Sequence, residues 1–214
     1  MRSKVTTQPA SEPVTLAEVK SSLRITNTAE DALLTQYITD ARIWAERYTG
    51  RKFITQTITE YHDSMTDGVQ GEWWSGRRMG PVDMISGARS LTLETLPIQS
   101  VTSFHTVGTD NSETLYASTN YYLDNYENDM RNRIILNTGS SLTGNYRASN
   151  NIKVVYVAGY GDNAADVPSS IRRAIIVYCG QLWSNRGVCD STCAAGCGAS
   201  NMLQPYKMES TNGI

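Results

Sequence analysis

This chain of 214 residues has no long apolar run, little excess of either charge and few histidines. No apolar run approaches the roughly 20 residues that a membrane-spanning helix needs, and Met1-Arg-Ser-Lys4 is not followed by the apolar core of a signal peptide. The formal net charge of −2 argues against tight, nonspecific adhesion to nucleic acid, because such adhesion needs clustered Lys and Arg. We therefore expect a soluble protein that is made and kept in a cytoplasm.

The chain has two histidines, His62 and His105, and both fall in predicted strands among Thr and apolar neighbours. A nucleophilic catalytic site needs its nucleophile and base within hydrogen-bond reach of each other. Nothing in the sequence places either histidine beside Cys179 or a particular Ser, and Gly159-Tyr-Gly161 lacks the GK[ST] of a phosphate-binding loop. We interpret both histidines as packed or surface residues, and we predict no catalytic residue and no cofactor.

Three of the four cysteines, Cys189, Cys193 and Cys197, lie four residues apart, and Cys179 lies further back on a predicted helix. Structural zinc sites use four ligands, commonly in closely spaced pairs. Cys179 would have to turn round from its helix, no His lies nearby, and a reducing cytosol opposes a disulfide. The favoured interpretation is a tail with unpaired thiols. The rival, a metal- or thiol-dependent enzyme, would need Cys189, Cys193 and Cys197, and stoichiometric zinc by elemental analysis would support it.

Apolar periodicity predicts two amphipathic helices near the N-terminus. Thr15 and Glu18 form a capping box for the first helix. Thr28 and Asp31 repeat that signature before the second helix, which we expect Gly50 to end. The second helix carries a stripe of apolar residues that is wider than one short partner helix would cover. The stripe consists of Leu34, Ile38, Ala41, Ala45 and Tyr48, widened by Leu33, Tyr37 and Trp44.

After Gly50 the apolar period changes to two, which is typical of strands. The pattern predicts strands at 53–62, 90–95, 98–107, 121–123, 133–136 and 151–156, with a hairpin turn at 108–112. Residues 63–88 are rich in Gly and indicate a long loop. This loop carries Trp73, Trp74, Arg77 and Arg78, which we interpret as a protein-contacting tip rather than a nucleic-acid site.

After Asp166 the apolar residues again recur with the helical period, which predicts a third helix. Pro168 lies in its first turn, and we expect Gly187 to end it. Ile171, Ile175, Tyr178 and Leu182 line its apolar face. A polar tail follows, interrupted by the apolar segment 202–206. Ordering each residue of such a segment costs about 1–2 kcal/mol of backbone entropy, so we expect it to dock. A neighbouring chain's groove is favoured over the protein's own core.

A series of short motifs runs in a fixed order along residues 14–207. They are Thr15-Leu-Ala-Glu-Val-Lys-Ser-Ser-Leu-Arg24, Asp31-Ala-Leu-Leu-Thr35, Ala41-Arg-Ile-Trp-Ala-Glu-Arg-Tyr-Thr-Gly-Arg51, Ile54-Thr-Gln-Thr57, Leu96-Pro-Ile-Gln-Ser-Val-Thr-Ser103, Val157-Ala-Gly-Tyr-Gly161, Asp166-Val-Pro168 with Ile171-Arg-Arg-Ala174, and Leu203-Gln-Pro-Tyr-Lys207. In this order and spacing they resemble the head–tail connector (adaptor or head-completion) family of long-tailed bacteriophages.

The resemblance implies a structural protein without catalytic activity in the neck of a virion, assembled in the host cytoplasm. Such proteins form a ring, typically dodecameric, under the portal and extend the DNA channel. The implied partners are further copies of the chain, the portal protein, and a head-closure (stopper) or tail-terminator protein. Genomic double-stranded DNA would pass through without sequence-specific binding, and no membrane is involved.

We therefore predict an α+β fold with a small antiparallel helical core, a β-rich insertion and an extended C-terminal tail. The helical core comprises 14–52 and 166–187, the insertion 53–165, the tail 188–214, and a flexible arm 1–13. The alternative is a β-face module that binds carbohydrate or cell envelope through Trp73, Trp74 and tyrosines.

Three groups of residues are predicted to make contacts with other proteins. By the resemblance, the portal-binding segment would be Met202, Leu203, Pro205, Tyr206 and Lys207. The residues predicted to contact a neighbouring subunit are Leu33, Tyr37, Trp44 and Trp183. The residues predicted to face the neck or tail are Trp73, Trp74, Arg77 and Arg78.

Overall fold

The computed structural model describes residues 2–63, 65, 90–125, 133–142, 144–185 and 198–208. The chain divides into two compact units. The β unit consists of Met1–Gln8 and Gln56–Ala158, and the helical unit consists of Pro9–Thr55 and Gly159–Ile214. The predicted α+β class is confirmed, because helices form one unit and antiparallel sheets form the other.

Within the described residues, the helical unit has four helices around one apolar cluster. They are α1 (Leu16–Leu23), α2 (Asp31–Thr49), α3 (Ser169–Ser184) and α4 (Ala199–Leu203). The buried cluster includes Val14, Val19, Leu34, Ile38, Ala41, Ala45, Phe53, Ile54, Val167, Ile171, Ala174, Ile175, Cys179, Ala199 and Leu203. The apolar periodicity of α2 and α3 therefore serves a shared core, as the spacing predicts.

The capping box of α1 is confirmed. The Thr15 hydroxyl oxygen accepts the Glu18 backbone N–H at 3.2 Å, and the Glu18 carboxylate accepts the Thr15 backbone N–H at 2.8 Å. The carboxylate also contacts Arg172 on α3. The hydrogen bond from the Thr15 backbone, followed by the Thr15 hydroxyl and Arg172, holds the pKa of Glu18 below its ordinary value.

The predicted capping of α2 by Thr28 is wrong. Glu30 precedes the helix and makes no side-chain capping bond. Asp31 instead accepts a hydrogen bond from Lys20 Nζ at 2.6 Å, and Lys20 also donates to the Asn27 carbonyl at 2.7 Å. The charged side chains at this helix start therefore fasten the α1–α2 connection. At the other end Gly50 stops the helix in the left-handed conformation (φ 74°), as predicted.

The described part of the β unit contains eight strands in two antiparallel sheets. They are β1 (Arg2–Thr7), β2 (Gln56–His62), β3 (Ser90–Thr92), β4 (Ile98–Val107), β5 (Glu113–Tyr116), β6 (Tyr121–Asp124), β7 (Arg133–Leu136) and β8 (Ile152–Ala158). The larger sheet has the order β1-β2-β8-β4-β5 and the smaller one β3-β7-β6. Residues in β2 and β8 alternate between buried and half-buried, which gives the larger sheet one inner face.

Two strands were not predicted, and several boundaries differ from the prediction. β3 ends at Thr92 rather than Thr95, and β8 covers Ile152–Ala158 rather than 151–156. Residues 2–7, expected to belong to a flexible arm, form β1 and pair with β2. β5 was also not predicted, although the hairpin turn before it is confirmed by the Gly108 N–H bond to the Ser112 carbonyl at 2.9 Å. β2 begins at Gln56 rather than Phe53, because Phe53 and Ile54 are buried in the helical unit.

Gly159 has a conformation and a location that only glycine tolerates. Its φ is +141°, and an added Cβ would lie 2.6 Å from the Ile54 backbone carbon. Its neighbours hydrogen-bond to the same segment, with Tyr160 N–H donating to the Phe53 carbonyl at 3.1 Å and Thr55 N–H donating to the Gly161 carbonyl at 3.0 Å. These contacts hold 53–55 and 159–161 side by side within the helical unit.

Candidate interaction surfaces

Half-buried aromatic rings of α2 and α3 stack in a row. The rings of Trp44 and Tyr178 lie 4.3 Å apart between centroids, and those of Trp44 and Tyr48 lie 5.6 Å apart. We call Tyr48, Trp44 and Tyr178 the aromatic row. Trp44 and Tyr48 are four residues apart on α2, so they occupy the same helix face. Large aromatic side chains that keep part of their surface in solvent are typical of protein interfaces.

The four residues predicted to contact a neighbouring subunit are all half-buried in the single chain. Tyr37, Trp44 and Trp183 pack against the helical core, and the Trp183 indole N–H donates to the Glu30 carboxylate at 2.8 Å. Leu33 is the neighbour of the fully buried Leu34 on α2, and its own side chain is only half-buried. The structure therefore leaves part of each side chain accessible, and the inter-subunit role stays a prediction.

The apolar C-terminal segment folds back on its own helical unit. Leu203 and Ala199 are fully buried in the core cluster, and Met202 and Tyr206 pack against it. The Tyr206 hydroxyl hydrogen-bonds with the Ser170 hydroxyl at 2.7 Å. The expected extended tail is therefore wrong for this segment, which forms α4 and a 3-10 turn over Gln204–Tyr206.

Hydrogen bonds from α2 and the residues after it hold this segment in place. Arg51 Nε donates to the Tyr206 carbonyl at 2.8 Å, the Tyr48 hydroxyl donates to the Gln204 side-chain oxygen at 2.8 Å, and the Met208 N–H donates to the Thr49 carbonyl at 2.9 Å. The preference for a neighbour's groove over the chain's own core is thus wrong for the single chain.

Portal contact nevertheless stays a prediction for the accessible part of this segment. Pro205 and Lys207 are exposed, and Met202 and Tyr206 are half-buried. The Lys207 ammonium lies 5.3 Å from the centroid of the Tyr48 ring. This contact places the exposed end of the C-terminal segment beside the aromatic row, so two of the predicted contact groups are adjacent.

A buried ion network fastens the residues that flank α2. Arg42 Nε lies 2.7 Å from the Glu12 carboxylate, and Lys52 Nζ lies 2.9 Å from that of Glu46. Arg42 and Glu46, one helical turn apart, are 3.5 Å apart and almost completely buried. Because each charge has a partner, the cost of burying it is offset. The sequence pattern did not predict this network, since Glu12 is thirty residues from Arg42 along the chain.

The β unit contains a buried carboxylate, Glu60, which is fully enclosed. It accepts the Tyr156 hydroxyl at 2.6 Å and the Glu94 backbone N–H at 3.3 Å, and the buried His62 Nε2 lies 2.8 Å away. Burial, followed by the adjacent Glu60 charge, raises the pKa of Tyr156. The interpretation of His62 as a packed residue is confirmed, and its imidazole lies beside the carboxylate.

Cys179 is buried on α3, where its Sγ lies 3.5 Å from the Tyr37 carbonyl oxygen. Burial raises the pKa of this thiol to about 12, which disfavours the reactive thiolate.

Several residues named in the predictions lie outside the described residues, namely Cys189, Cys193, Cys197, Gly187, Trp73, Trp74, Arg77 and Arg78. Neither the proposed metal site nor the glycan-binding alternative is therefore tested.

Within the described ranges, no group of three or more His, Cys, Asp and Glu residues is arranged to hold a metal ion. Among the helices described, none has the length and apolar character that crossing a bilayer requires.

The comparisons give one family match. Residues 13–97 match the family described as phage gp6-like head-tail connector protein. This segment runs from the start of the helical unit through α1, α2, β2 and β3. The resemblance that the sequence motifs indicate is therefore confirmed over this part of the chain. Among curated proteins, none matches the sequence significantly.

Solved structures with the same fold extend over the whole chain. A chain from the "neck of empty GTA particle computed with C6 symmetry" is 20% identical, with a TM-score of 0.73, and the match covers 100% of this chain and 99% of that chain. A chain from the "virion of native gene transfer agent (GTA) particle" is 19% identical, with a TM-score of 0.72 and the same coverage. A chain from the "neck of native GTA particle computed with C12 symmetry" is 18% identical, with a TM-score of 0.71 and the same coverage. At these identities the likeness is one of fold.

Proposed function

We propose that this protein is a structural head–tail connector in the neck of a phage-like virion. It forms a twelvefold ring under the portal, extends the DNA channel and offers a docking surface to a head-closure or tail-terminator protein. The observation that carries the proposal is the full-length likeness to neck chains, one of them from a C12-symmetric neck, together with the connector-family match at 13–97.

The surfaces of the helical unit support this proposal. A ring assembled by head-to-tail contacts needs two different surfaces on each copy. The aromatic row and the half-buried Leu33, Tyr37 and Trp183 provide contact area of the kind that interfaces use. The exposed Pro205 and Lys207 extend this area at the C-terminal segment, where the resemblance implies portal contact.

The overall charge also suits a channel component. The formal net charge of −2 gives the chain little general attraction for a polyanion. A protein that lines a path for DNA must allow the duplex to slide, so weak binding is an advantage. The low net charge therefore supports passage of DNA without sequence-specific contacts.

The test is assembly with the portal protein. Purified connector and portal should co-sediment, and electron microscopy should show a ring of density on the portal. A purified connector that is monomeric remains compatible with the proposal, because the portal would act as the template. A connector that never co-sediments with the portal, and is missing from neck particles, would refute the proposed function.

A pair of variants on adjacent positions of α2 tests the aromatic row. Trp44→Ala should weaken ring assembly, whereas Ile43→Ala, which truncates an apolar side chain that is 36% exposed, should not. Thermal unfolding of both variants checks that Trp44→Ala still folds, and Leu33→Ala supplies a second interface variant. If folded Trp44→Ala and Leu33→Ala assemble like Ile43→Ala, these residues are not part of the subunit contact.

A further inference from the structure

The larger sheet of the β unit ends in two edge strands, β1 and β5. Each has one strand neighbour within the described part of the chain, β2 for β1 and β4 for β5. All four neighbouring pairs in this sheet are antiparallel. Because the sheet has five strands, β1 and β5 run in the same direction. An edge strand presents backbone N–H and C=O groups to any strand that approaches it.

The hydrogen bonds of the β4–β5 hairpin show which backbone groups of β5 point outward. The Gly108 N–H donates to the Ser112 carbonyl at 2.9 Å. Since hydrogen-bonded pairs alternate in an antiparallel ladder, Thr114 and Tyr116 face β4. The N–H and C=O groups of Glu113 and Leu115 consequently point away from the sheet. The Val107 N–H fits this alternation, because it donates to Asn151 on the opposite side of β4 at 2.7 Å.

The edge at β5 lacks most of the usual protection against pairing. Natural edge strands are guarded by short length, Lys, Pro, bulges or unpaired charges. β5 is short, at four residues, but its sequence Glu-Thr-Leu-Tyr contains no Lys and no Pro. Its one charge, Glu113, is paired within its own sheet, since both carboxylate oxygens accept Lys153 Nζ at 2.9 and 2.7 Å, and its side chain stays 42% exposed. Leu115 is 63% exposed, the largest exposed fraction among the large apolar side chains that the structure describes.

The edge at β1 complements the edge at β5 in charge. β1 carries Arg2 and Lys4 and no acidic residue, while Asp110 lies in the turn before β5 and Glu113 is the first residue of β5. Parallel alignment of the two strands brings the basic start of β1 to this acidic start of β5. Pairing of β5 with a second β5 would instead be antiparallel and would place Glu113 beside Tyr116, with no basic residue of β5 opposite.

We propose that the connector ring closes by parallel pairing of β5 of one copy with β1 of the next copy. This inference rests on the proposed function, because a ring needs two different surfaces on each copy and a repeated rotation between copies. Opposite edges of one sheet that run in the same direction meet both needs. The occupant of each edge is therefore a second copy of this chain.

The first experiment removes one outward donor. Leu115→Pro deletes an N–H that points away from β4, so the intramolecular ladder remains intact. Leu115→Thr is the matched control, because it shortens the apolar side chain but keeps the N–H and the strand preference. We expect both variants to unfold at temperatures near that of the unsubstituted protein. Leu115→Pro should lose ring assembly on the portal, and Leu115→Thr should retain it.

A second experiment identifies the partner strand. Lys4→Cys and Leu115→Cys proteins are mixed with the portal and oxidised, with the unsubstituted protein as the baseline for its native cysteines. Parallel pairing predicts a cross-linked dimer that needs both variants. A dimer formed by Leu115→Cys alone would show two-fold β5–β5 pairing and overturn the proposal.

The outcomes separate this inference from the proposed function. If folded Leu115→Pro assembles on the portal as well as the unsubstituted protein, edge pairing is refuted and the connector role stands. If the unsubstituted protein does not assemble on the portal, the connector role fails, and edge pairing fails with it because no ring exists to be closed.

Discussion

At the scale of single residues, Glu60 shows how the β unit accommodates a charge in its core. A fully buried carboxylate is costly unless its oxygens are hydrogen-bonded. Here the Tyr156 hydroxyl and the Glu94 backbone N–H donate hydrogen bonds to the carboxylate, and the His62 ring lies beside it. The Tyr156 bond, at 2.6 Å, is the shorter of the two hydrogen bonds. The cluster therefore links β2 to β8 as well as satisfying the charge.

Tyr156→Phe should destabilise the protein by about 1–3 kcal/mol, because it removes the shortest hydrogen bond to a buried carboxylate. Chemical denaturation monitored by circular dichroism measures this change. Tyr61→Phe removes a hydroxyl from the half-buried, opposite face of the same sheet and should have a much smaller effect. Equal effects of the two substitutions would contradict the structural role given to the Tyr156–Glu60 bond.

At the scale of elements, the C-terminal segment depends on the core that it covers. Leu203, the last residue of α4, is fully buried in the helical cluster. Its side chain therefore stabilises the folded-back position of the segment. Arg51, itself almost completely buried, adds a hydrogen bond to the Tyr206 carbonyl. A short helix of five residues would not be stable alone. Its structure therefore comes from tertiary contacts.

Leu203→Ala should cost about 2–5 kcal/mol of folding free energy, since it removes a buried side chain and leaves a cavity. Asn201→Ala, at an exposed position of the same helix, should change stability by less than about 0.5 kcal/mol. Urea titration of both variants provides the measurement. A Leu203→Ala protein as stable as Asn201→Ala would mean that the segment leaves the core in solution.

The elements that could be predicted from the sequence are those with a clear period. α2 and α3 carry apolar stripes, and β4 and β7 were predicted with the bounds that they have in the structure. β1 has a single apolar residue, Val5, and β5 is largely exposed, so neither shows the alternation of a half-buried strand. Edge strands of this kind are held by backbone pairing with a neighbour, which local sequence does not reveal.

The candidate surfaces were predictable only in part, for the same reason. The stripe on α2 placed Trp44 on a broad apolar face, but its stacking on Tyr178 depends on how α2 packs against α3. The apolar character of residues 202–206 indicated docking, whereas the choice of their own core depends on distant groups such as Arg51 and Ser170. Contacts between residues far apart in the chain are tertiary properties.

At the scale of the whole molecule, the balance of charges makes a prediction about DNA. With 19 basic and 21 acidic residues, the chain has no excess of positive charge. We expect the purified protein not to retard duplex DNA at about 0.15 M salt, because tight binding requires release of counterions by clustered Lys and Arg. Fluorescence anisotropy of a labelled duplex over a range of salt concentrations tests this expectation. Strong binding that weakens steeply with salt would instead reveal a basic patch facing the DNA.

Because the larger sheet has an odd number of strands, its two edge strands run in the same direction. Copies joined edge to edge would therefore all point the same way, which affects how the protein behaves in storage. Subunits joined through unlike edges leave one unfilled edge of each kind at the two ends of every partial arc, so an arc can always accept a further subunit. Without a template of fixed diameter, such growth ends either in closure or in an open helical filament. Under edge pairing, concentrated protein stored without a template is therefore expected to elongate rather than to stop at a dimer.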